Sequence, residues 1–582
     1  MAATVDLSRV IFIVLREMRK PILAIIIVYS LSIVGMVIIP GPVVDGKAQY
    51  LSIFHAFYFM TYTATTTGFG EIPFPFSNAQ RFWAIVCLYI SVITWFYAIG
   101  SIIRLVQNPY LGKALAEHDF SNKVERISGD FFIICGFGDT GSVLARGLSD
   151  ARLTAVIIDS SEERIKALQL RDYKVPMPGL FADASVPKHL IEAGIRRADC
   201  KAIVSVTSNE ETNLKISAMA RILNPGIDVI TKSKVEIWEE TLATIGGKVH
   251  IIDPFKTYAQ LLAFSIVQRY FYSFNNWLVG DKSTELEQPL SPPNQGLWII
   301  CGFGRMGQEI KRALNKQGLR TAIIDPKPIS PDEENVEKFV LGLTTVRTLK
   351  LAGIEQAVGI VTGTDDDGQN VSILLNARSI NPNVFTVVRQ NSHENFAAFQ
   401  AARADMVMQP SLVAARRIML LLKAPLLKPF FKYFLVHQDR DHEMNDVISW
   451  VKTCVGDGNK VPPLLTSFDI TDKNAKVLMR VLENDSVQLG DLLKDPRDRT
   501  KPLDLVVLVV QSDEGKVIIL PGSDYWVKAG DQLLLCGTDL GYRLFLATVN
   551  NEYKLYHVRT GLRQPRSFFM QWYVRKMGRE GL

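Results

Sequence analysis

Five consecutive residues offer a dense row of uncharged oxygen ligands: Thr66, Thr67, Gly68, Phe69 and Gly70. Threonine hydroxyls and backbone carbonyls together can replace the hydration shell of a small cation. Gly68 and Gly70 admit the φ > 0 conformations that aim successive carbonyls at one axis. A second chemistry is written twice. Cys135-Gly136-Phe137-Gly138-Asp139-Thr140-Gly141 recurs as Cys301-Gly302-Phe303-Gly304-Arg305-Met306-Gly307, and each copy is followed by an acid, Asp159 or Asp325. A glycine turn that opens a helix presents N–H groups and partial positive charge to phosphates. An acid ending the next strand bonds both ribose hydroxyls, which favours adenosine or NAD-like ligands over a 2′-phosphate.

The oxygen row lies between two apolar stretches. Ile22 to Ile39 is almost unbroken aliphatic, and Phe82 to Val106 carries one charge, Arg104. Each can span a hydrocarbon core of about 30 Å as a helix. Ser52 to Thr63 is too short to span and reads as a helix leading into the oxygen row. Irregular backbone at membrane depth is tolerated only where it lines a water-filled or protein-lined path. Helix, re-entrant loop and helix therefore ask for an ion pathway. Arg9, Arg16, Arg19 and Lys20 precede the first span, the outer loop has Lys47 alone, and Arg104, Lys113 and Lys123 follow. That asymmetry puts both ends of the pore unit on the cytoplasmic side. Gly100, in Ala98-Ile99-Gly100-Ser101, is either a hinge of the inner helix or a site of close helix packing. No arginine-repeat helix speaks for voltage as the main gate.

Thr66-Thr67-Gly68-Phe69-Gly70 resembles the potassium-channel filter, usually T-V-G-Y-G, with Glu71 where that family carries an acid. The resemblance implies potassium ions in the filter and a homotetramer, because four copies close the ring. Thr67 for valine and Phe69 for tyrosine are departures that could loosen selectivity.

The glycine turns belong to a duplicated domain. The turn and its acid both recur at an offset of 166 residues, since 302 − 136 and 325 − 159 agree. Asn213 matches Asn370, and Asn224-Pro225 matches Asn381-Pro382. Alternating strands and helices predict a parallel, doubly wound sheet in each copy. The first copy adds Asp183, where an acid could bond a second sugar or a base edge. The second adds Arg305, whose guanidinium could pair with phosphate. Glu210 with its neighbours, and Asp365 with Asp366, are either oxygen ligands for Ca²⁺ or Mg²⁺ or acids favoured in a helix's first turn.

Tandem copies behind a two-span pore resemble the channels gated by RCK domains (regulators of potassium conductance). The resemblance implies a cytoplasmic gating ring set by intracellular ligands, for which the turns could hold ADP, ATP or NAD and the acids above could hold Ca²⁺. The fold class expected is a membrane α-helical pore fused to α/β, with two tandem Rossmann-like RCK domains, the second carrying a small C-terminal α+β lobe. The expected parts are a pore domain at 1–107, a connector at 108–126, a first RCK domain at 127–285, and a linker at 286–296. A second RCK domain follows at 297–445, a C-terminal lobe at 446–550, and a basic aromatic tail at 551–582 that could rest on membrane lipid or pack on the ring. A net charge of +6 in 582 residues does not call for nucleic acid. The six cysteines form no C-x-x-C, which suits free thiols in a reducing cytosol. Two rival readings remain: a membrane-anchored NAD-dependent oxidoreductase, and a weakly selective cation channel.

Overall fold

The computed structural model describes residues 7–233, 248–280, 285–328, 336–437, 441–456 and 461–563. They divide into a pore unit and a larger α/β unit.

Three helices build the pore unit: α1 (Leu7–Ile38), α2 (Ile53–Ala64) and α3 (Asn78–Val106). Val14–Ile38 and Asn78–Val106 are long and apolar enough to cross a membrane. Ser52 caps α2 by accepting from the His55 N–H at 3.2 Å. Ser77 and Gln80 cap α3 reciprocally, which satisfies donors that the first turn leaves unpaired. Between α1 and α2, a tight hairpin joins β1 (Val43–Val44) to β2 (Lys47–Ala48), with Asp45 and Gly46 both at positive φ. The spans meet at Gly35, where an added Cβ would lie 2.2 Å from the Trp83 indole nitrogen. That nitrogen donates to the Ser32 carbonyl at 3.2 Å. Around them Met36, Leu51, Phe59, Met60, Tyr62, Phe76 and Cys87 form one buried cluster. After α3, Pro109 opens a further helix, α4 (Pro109–Glu125), over the expected connector.

The first α/β copy has β3 (Phe131–Cys135), α5 (Asp139–Asp150), β4 (Thr154–Asp159), α6 (Glu162–Gln169), β5 (Gly179–Phe181) and α7 (Pro187–Glu192). It continues with β6 (Cys200–Ser205), α8 (Glu210–Leu223), β7 (Asp228–Lys232) and β8 (Val249–Ile252). Its sheet order is β5-β4-β3-β6-β7-β8. Helices α9 (Pro254–Val267) and α10 (Phe271–Leu278) follow. The second copy repeats the order as β11-β10-β9-β12-β13-β14, with every pair parallel. Its elements are β9 (Leu297–Cys301), α11 (Arg305–Lys316), β10 (Arg320–Asp325), β11 (Lys338–Leu341), α12 (Val346–Ala352) and β12 (Ala357–Thr362). After these come α13 (Asp367–Ile380), β13 (Phe385–Arg389), α14 (Phe396–Ala401), β14 (Met406–Met408), α15 (Pro410–Lys423) and α16 (Leu427–Val436). This order reverses direction between the first and fourth strands, which opens a crevice at the strands' carboxyl ends.

The copies conserve volume rather than identity at one cross-strand pair. Phe132 faces Ala202 in the first sheet, and Trp298 faces Gly359 in the second. A Cβ on Gly359 would lie 2.5 Å from the Trp298 ring, so the larger aromatic requires the smaller partner.

The helices that follow each sheet are exchanged. Phe255, Tyr258, Ala259 and Leu262 of α9 sit in the core of the second copy with Trp298, Met306 and Ile310. Ala414, Ala415 and Ile418 of α15 sit in the core of the first, with Leu144 and Leu148 of α5. The apolar faces of both helices are thus buried within one chain.

The C-terminal lobe is α+β. An antiparallel sheet, β15-β20-β17-β18, is made of β15 (Leu464–Asp469), β17 (Leu505–Gln511), β18 (Val517–Ile519) and β20 (Gln532–Gly537). A two-stranded sheet pairs β16 (Val487–Gln488) with β19 (Trp526–Val527). The expected boundary at 446 falls inside α17 (Asp441–Val455), whose Met444, Val447 and Val451 are buried with Leu508 and Leu534 of the sheet. At the other end the helix Glu552–Thr560 buries Leu555 and Val558 in the lobe core, so the lobe runs past residue 550. Residues 564–582, the rest of the expected tail, lie outside the described residues.

One acid in this lobe makes a pH prediction. Asp531 is fully buried; Oδ2 accepts from the Tyr525 hydroxyl at 3.0 Å and the Lys528 N–H at 2.8 Å, and Oδ1 has no hydrogen-bond partner. Burial raises its carboxyl above the ordinary range, against the lowering by those bonds. A carboxyl whose folded value lies above its unfolded value binds its proton more tightly when folded. Stability therefore falls as pH rises from the unfolded value through the folded one. Asp531→Asn is expected to raise the lobe's melting temperature at neutral pH and to flatten its decline between mildly acidic and neutral conditions. Thermal melts at several pH values read both effects, and an unchanged pH slope would refute the assignment.

Candidate functional sites in the pore loop and glycine turns

The chain leaves α2 through Thr66 N–H to Thr63 O at 3.1 Å and Thr67 N–H to Tyr62 O at 2.9 Å. Thr66 (φ 59°), Gly68 (φ 68°) and Gly70 (φ 89°) then alternate with Thr67 and Phe69 at negative φ. Such alternation turns successive carbonyls to the same side, the arrangement that strips and ligates a cation. Residues Thr65 to Gly70 are all exposed in the single chain, and a Cβ on Gly68 or Gly70 would meet nothing within 4 Å. The loop's other side is fastened. Tyr62 donates its hydroxyl to Gly70 O, which takes that carbonyl out of the row. The Phe69 ring lies parallel to Tyr58 at 6.3 Å and edge-on to Tyr62 at 5.5 Å. Glu71 accepts from the Phe76 N–H at 2.8 Å and from Arg81 through two nitrogens, at 2.8 and 3.1 Å. This bidentate pair fixes the return of the loop to α3. Gly100 lies within continuous α3 and would meet nothing within 4 Å as alanine, whereas Ala98 and Ser101 beside it are buried.

In the first copy, Gly136 sits at φ 104°, its Cβ position 2.9 Å from the Thr207 N of the loop after β6. Gly141 faces the Gly136 carbonyl, 2.0 Å from where a Cβ would stand. Above Gly138 there is room: the nearest atom to its Cβ position is Arg164 Nη1 at 3.7 Å. Gly138 caps α5 without a side-chain bond, so the first-turn N–H groups stay open to a ligand. Buried Asp159 accepts from the Phe137 N–H, and from the Ser161 N–H at 2.7 Å, with Arg164 Nη1 at 3.5 Å. Asp183 is exposed after β5 and accepts from the Ser185 N–H at 2.8 Å. Asp139 is exposed on the first turn of α5, while Thr140 is buried, so its side chain is part of the packing.

The second turn has the same backbone and different surroundings. Gly302 is at φ 89°, a Cβ on Gly307 would lie 2.4 Å from Gly302 O, and Gly304 is open. Asp325 accepts from the Phe303 N–H at 2.6 Å and the Lys327 N–H at 2.8 Å. Met306 is fully buried in the core, so only its backbone can serve a ligand. Arg305, expected at a phosphate, pairs instead with Asp253 at 2.8 Å, and its guanidinium lies 4.9 Å from the Phe255 ring centre. Asp253 caps α9, so this arginine ties the second turn to the helix that follows the first sheet. Nearby Lys232 has its amine pulled down by burial and by the Arg305 charge.

The acids considered for a divalent ion do not converge. Glu210 accepts from Ser233 at 2.6 Å, Asp365 pairs with Arg389 at 2.6 Å, and Asp366 caps α13 by accepting from Gln369 N at 2.7 Å. Among the described residues no group of three or more metal-ligating side chains forms. The helix dipole and capping account for these acids.

Four features escaped the sequence reading. Arg164 stands over Gly138 and beside Asp159. Arg81 clamps Glu71. Gly35 receives Trp83. The fourth is a repeated clamp in which Asn213 Oδ1 accepts from the Thr207 N–H at 2.9 Å, and Asn370 Oδ1 from the Thr364 N–H at 3.0 Å. Both asparagines are buried and also donate to the next strand, at Lys232 O and Arg389 O. Their recurrence in the repeat was the signal available.

The comparisons with known proteins agree with this layout. The ion-channel family matches residues 22–108, and the TrkA-N domain family matches residues 132–253 and 298–410. Potassium channel protein 1 of Methanocaldococcus jannaschii is 26% identical over 181 residues, 31% of this chain and 53% of that protein. The Voltage-gated potassium channel Kch of Escherichia coli is 27% identical over 185 residues, 31% of this chain and 41% of that protein. The chain thus spans about half the length of the curated relatives it matches. Among solved structures, the GsuK channel bound to NAD is 16% identical with a TM-score of 0.47, covering 93% of this chain and 99% of that one. An ion-channel domain fused to the duplicated turns removes the oxidoreductase reading. The chain joins an ion-channel domain, matched at residues 22–108, to two TrkA-N domains, matched at residues 132–253 and 298–410.

Proposed function

We propose that this protein is a potassium channel of the cell membrane, a homotetramer whose opening is set by an adenine nucleotide or NAD on its cytoplasmic domains. The observation that carries the reading is the alternating backbone of Thr66 to Gly70, braced by Tyr62 and the Glu71–Arg81 pair and bare on its other face. A bare row of ligands in one chain is a quarter of a ring. Thr66, Thr67, Gly68 and Phe69 are the residues whose oxygens ligate potassium.

The first copy is the nucleotide site. Its turn leaves a cradle above Gly138, Asp159 suits a ribose with free hydroxyls, and Arg164 faces both. The bound ligand supplies phosphates and ribose hydroxyls as handles and undergoes no reaction. Gating energy is the ligand's difference in affinity between open and closed assemblies. About 5.5 kcal/mol summed over the sites moves an equilibrium from 1:99 to 99:1.

The test is a reversal potential in a planar bilayer with K⁺ on one side and Na⁺ on the other, followed by NAD, ADP and Ca²⁺ on the cytoplasmic side. A potential near the K⁺ limit, with open probability changed by NAD or ADP and unchanged by Ca²⁺, is expected. A potential near zero would make it a weakly selective cation channel and point to Thr67. Current indifferent to both nucleotides would refute the gating assignment.

A further inference from the structure

The helix that leads out of the pore is fastened to α7 by charge as well as by chain. Lys188–Gly194, which hold most of α7 and the turn after it, belong to the first copy in sequence but pack within the compact unit that contains the pore helices and α4. There Lys188 Nζ donates to Glu117 Oε2 of α4 at 2.6 Å and lies 3.3 Å from Glu192 Oε1. The other oxygen of Glu192 meets His189 Nδ1 at 3.1 Å. Both carboxylates are buried: the Glu192 side chain is 2% exposed and that of Glu117 10%. Burial lowers the Lys188 amine, but the two carboxylates outweigh it and hold the amine above its ordinary range, so the bridge is charged at neutral pH. A carboxylate this deep is tolerated only while its partner stays in place. The Glu117 partner lies 71 residues away on another element, so α4 and α7 move together or lose the pair.

Each helix carries this link onward. Only Gln107 and Asn108 separate α4 from the second span, and the Leu111 and Gly112 N–H groups bond back to Asn108 O. α7 opens at Pro187, and the chain before it is bonded back to the ribose acid. Val186 N–H donates to Asp183 O at 3.2 Å, Ser185 N–H to the Asp183 carboxylate at 2.8 Å, and Ala182 N–H to Asp159 O at 3.0 Å. The covalent route from α4 to β3 passes instead through Gly129, at φ 88° with open space around it, a joint that bends readily. We propose that the Glu117–Lys188–Glu192 cluster is the coupling that carries nucleotide binding at Asp159 and Asp183 to α3, with Lys188 as a positioning residue that acts through Glu117. The proposal rests on the nucleotide-gating reading above and adds the place where sensor and pore are joined. A nucleotide that shifts the Asp183 turn moves Lys188, a few residues on, and with it the carboxylate on α4.

The test compares open probability with and without NAD or ADP in planar bilayers, for the full-length wild type, Glu117→Gln, Lys188→Gln and the double variant. A coupling between two sites gives the wild type a ratio on the order of 5–150 in either direction. In each variant that ratio should fall to within about twofold of one. The double variant should lose no more than either single, because both residues serve one link. Calorimetry on the same proteins in lipid nanodiscs should find nucleotide affinity within about threefold of wild type, since neither residue lies in a glycine turn. Lys188→Arg keeps the charge and the reach to both carboxylates and should retain most of the wild-type ratio, a rescue that a packing defect would not show. Lys188 is half-exposed, so its variants test the link should Glu117→Gln fail to assemble. A wild-type ratio in Lys188→Gln would overturn the coupling and leave nucleotide gating standing. A ratio of one in the wild type would overturn both. Nucleotide affinity lowered more than about tenfold in Lys188→Gln would place the cluster in the ligand site and overturn its role as a link.

Discussion

Gly35→Ala is expected to abolish most of the potassium flux through the pore. The new Cβ would stand 2.2 Å from the Trp83 indole nitrogen and 2.3 Å from the adjoining ring carbon. The indole cannot swing clear, because it packs against the buried cluster and its nitrogen bonds Ser32 O. Overpacking of this kind costs about 1–3 kcal/mol, and an assembly of identical chains incurs it in every subunit. The displacement has a route to the filter. Trp83 abuts the cluster that holds Tyr62, and Tyr62 holds the Gly70 carbonyl. The measurement is K⁺ flux from liposomes, alongside the fraction of protein that elutes as the assembled species. Trp83→Phe on the same background, which removes the indole's second ring, should recover part of the flux. Wild-type flux in Gly35→Ala would show that the spans separate more readily than this packing allows.

Gly141→Ala is expected to remove the nucleotide response while the pore still conducts. Its Cβ would come within 2.0 Å of the Gly136 carbonyl oxygen and 3.0 Å of the carbonyl carbon. Those are main-chain atoms, so no rotamer relieves the contact. The turn must open, and with it the bond from the Phe137 N–H to Asp159. A loss of about 5- to 150-fold in NAD or ADP affinity follows from a clash worth about 1–3 kcal/mol. Gly307→Ala makes the matching collision at 2.4 Å in the second copy. If the first copy is the ligand site, that variant keeps nucleotide affinity within about threefold, 0.6 kcal/mol. Calorimetry on the two variants separates the copies, and a larger loss in Gly307→Ala would reverse the assignment.

The repeat carried most of the fold in plain view. Short continuous apolar strands, glycine turns and the acids at a constant offset specify both sheets, because each signal is local in sequence. The two spans are legible for the same reason. What sequence could not show is which side chain meets which. Arg305 sits in the turn where phosphate is expected, yet Asp253, 52 residues earlier, takes its guanidinium. Thr140 and Met306 occupy motif positions, but helix phase turns both inward. Asp365 and Asp366 make a dense acidic run, and the capping geometry of α13 accounts for it. Arg164 had no motif to announce it, since its role depends on α6 passing above Gly138. The exchange of α9 and α15 explains why apolar helices outside the sheets needed no surface partner.

The Arg305–Asp253 pair has a consequence for how the duplication diverged. In an assembly of separate identical domains, every substitution appears in all of them, so a turn cannot be given up in one place and kept in another. Fusion into one polypeptide lifts that constraint. Here the second turn has traded an open approach for an internal tether, while the first keeps the acid, the arginine and the open glycine together. The tether needs both partners and has no counterpart in the first turn, where Asp139 stands in place of Arg305. An open turn and a strut have become separate heritable parts, and mutations in one can be selected without disturbing the other.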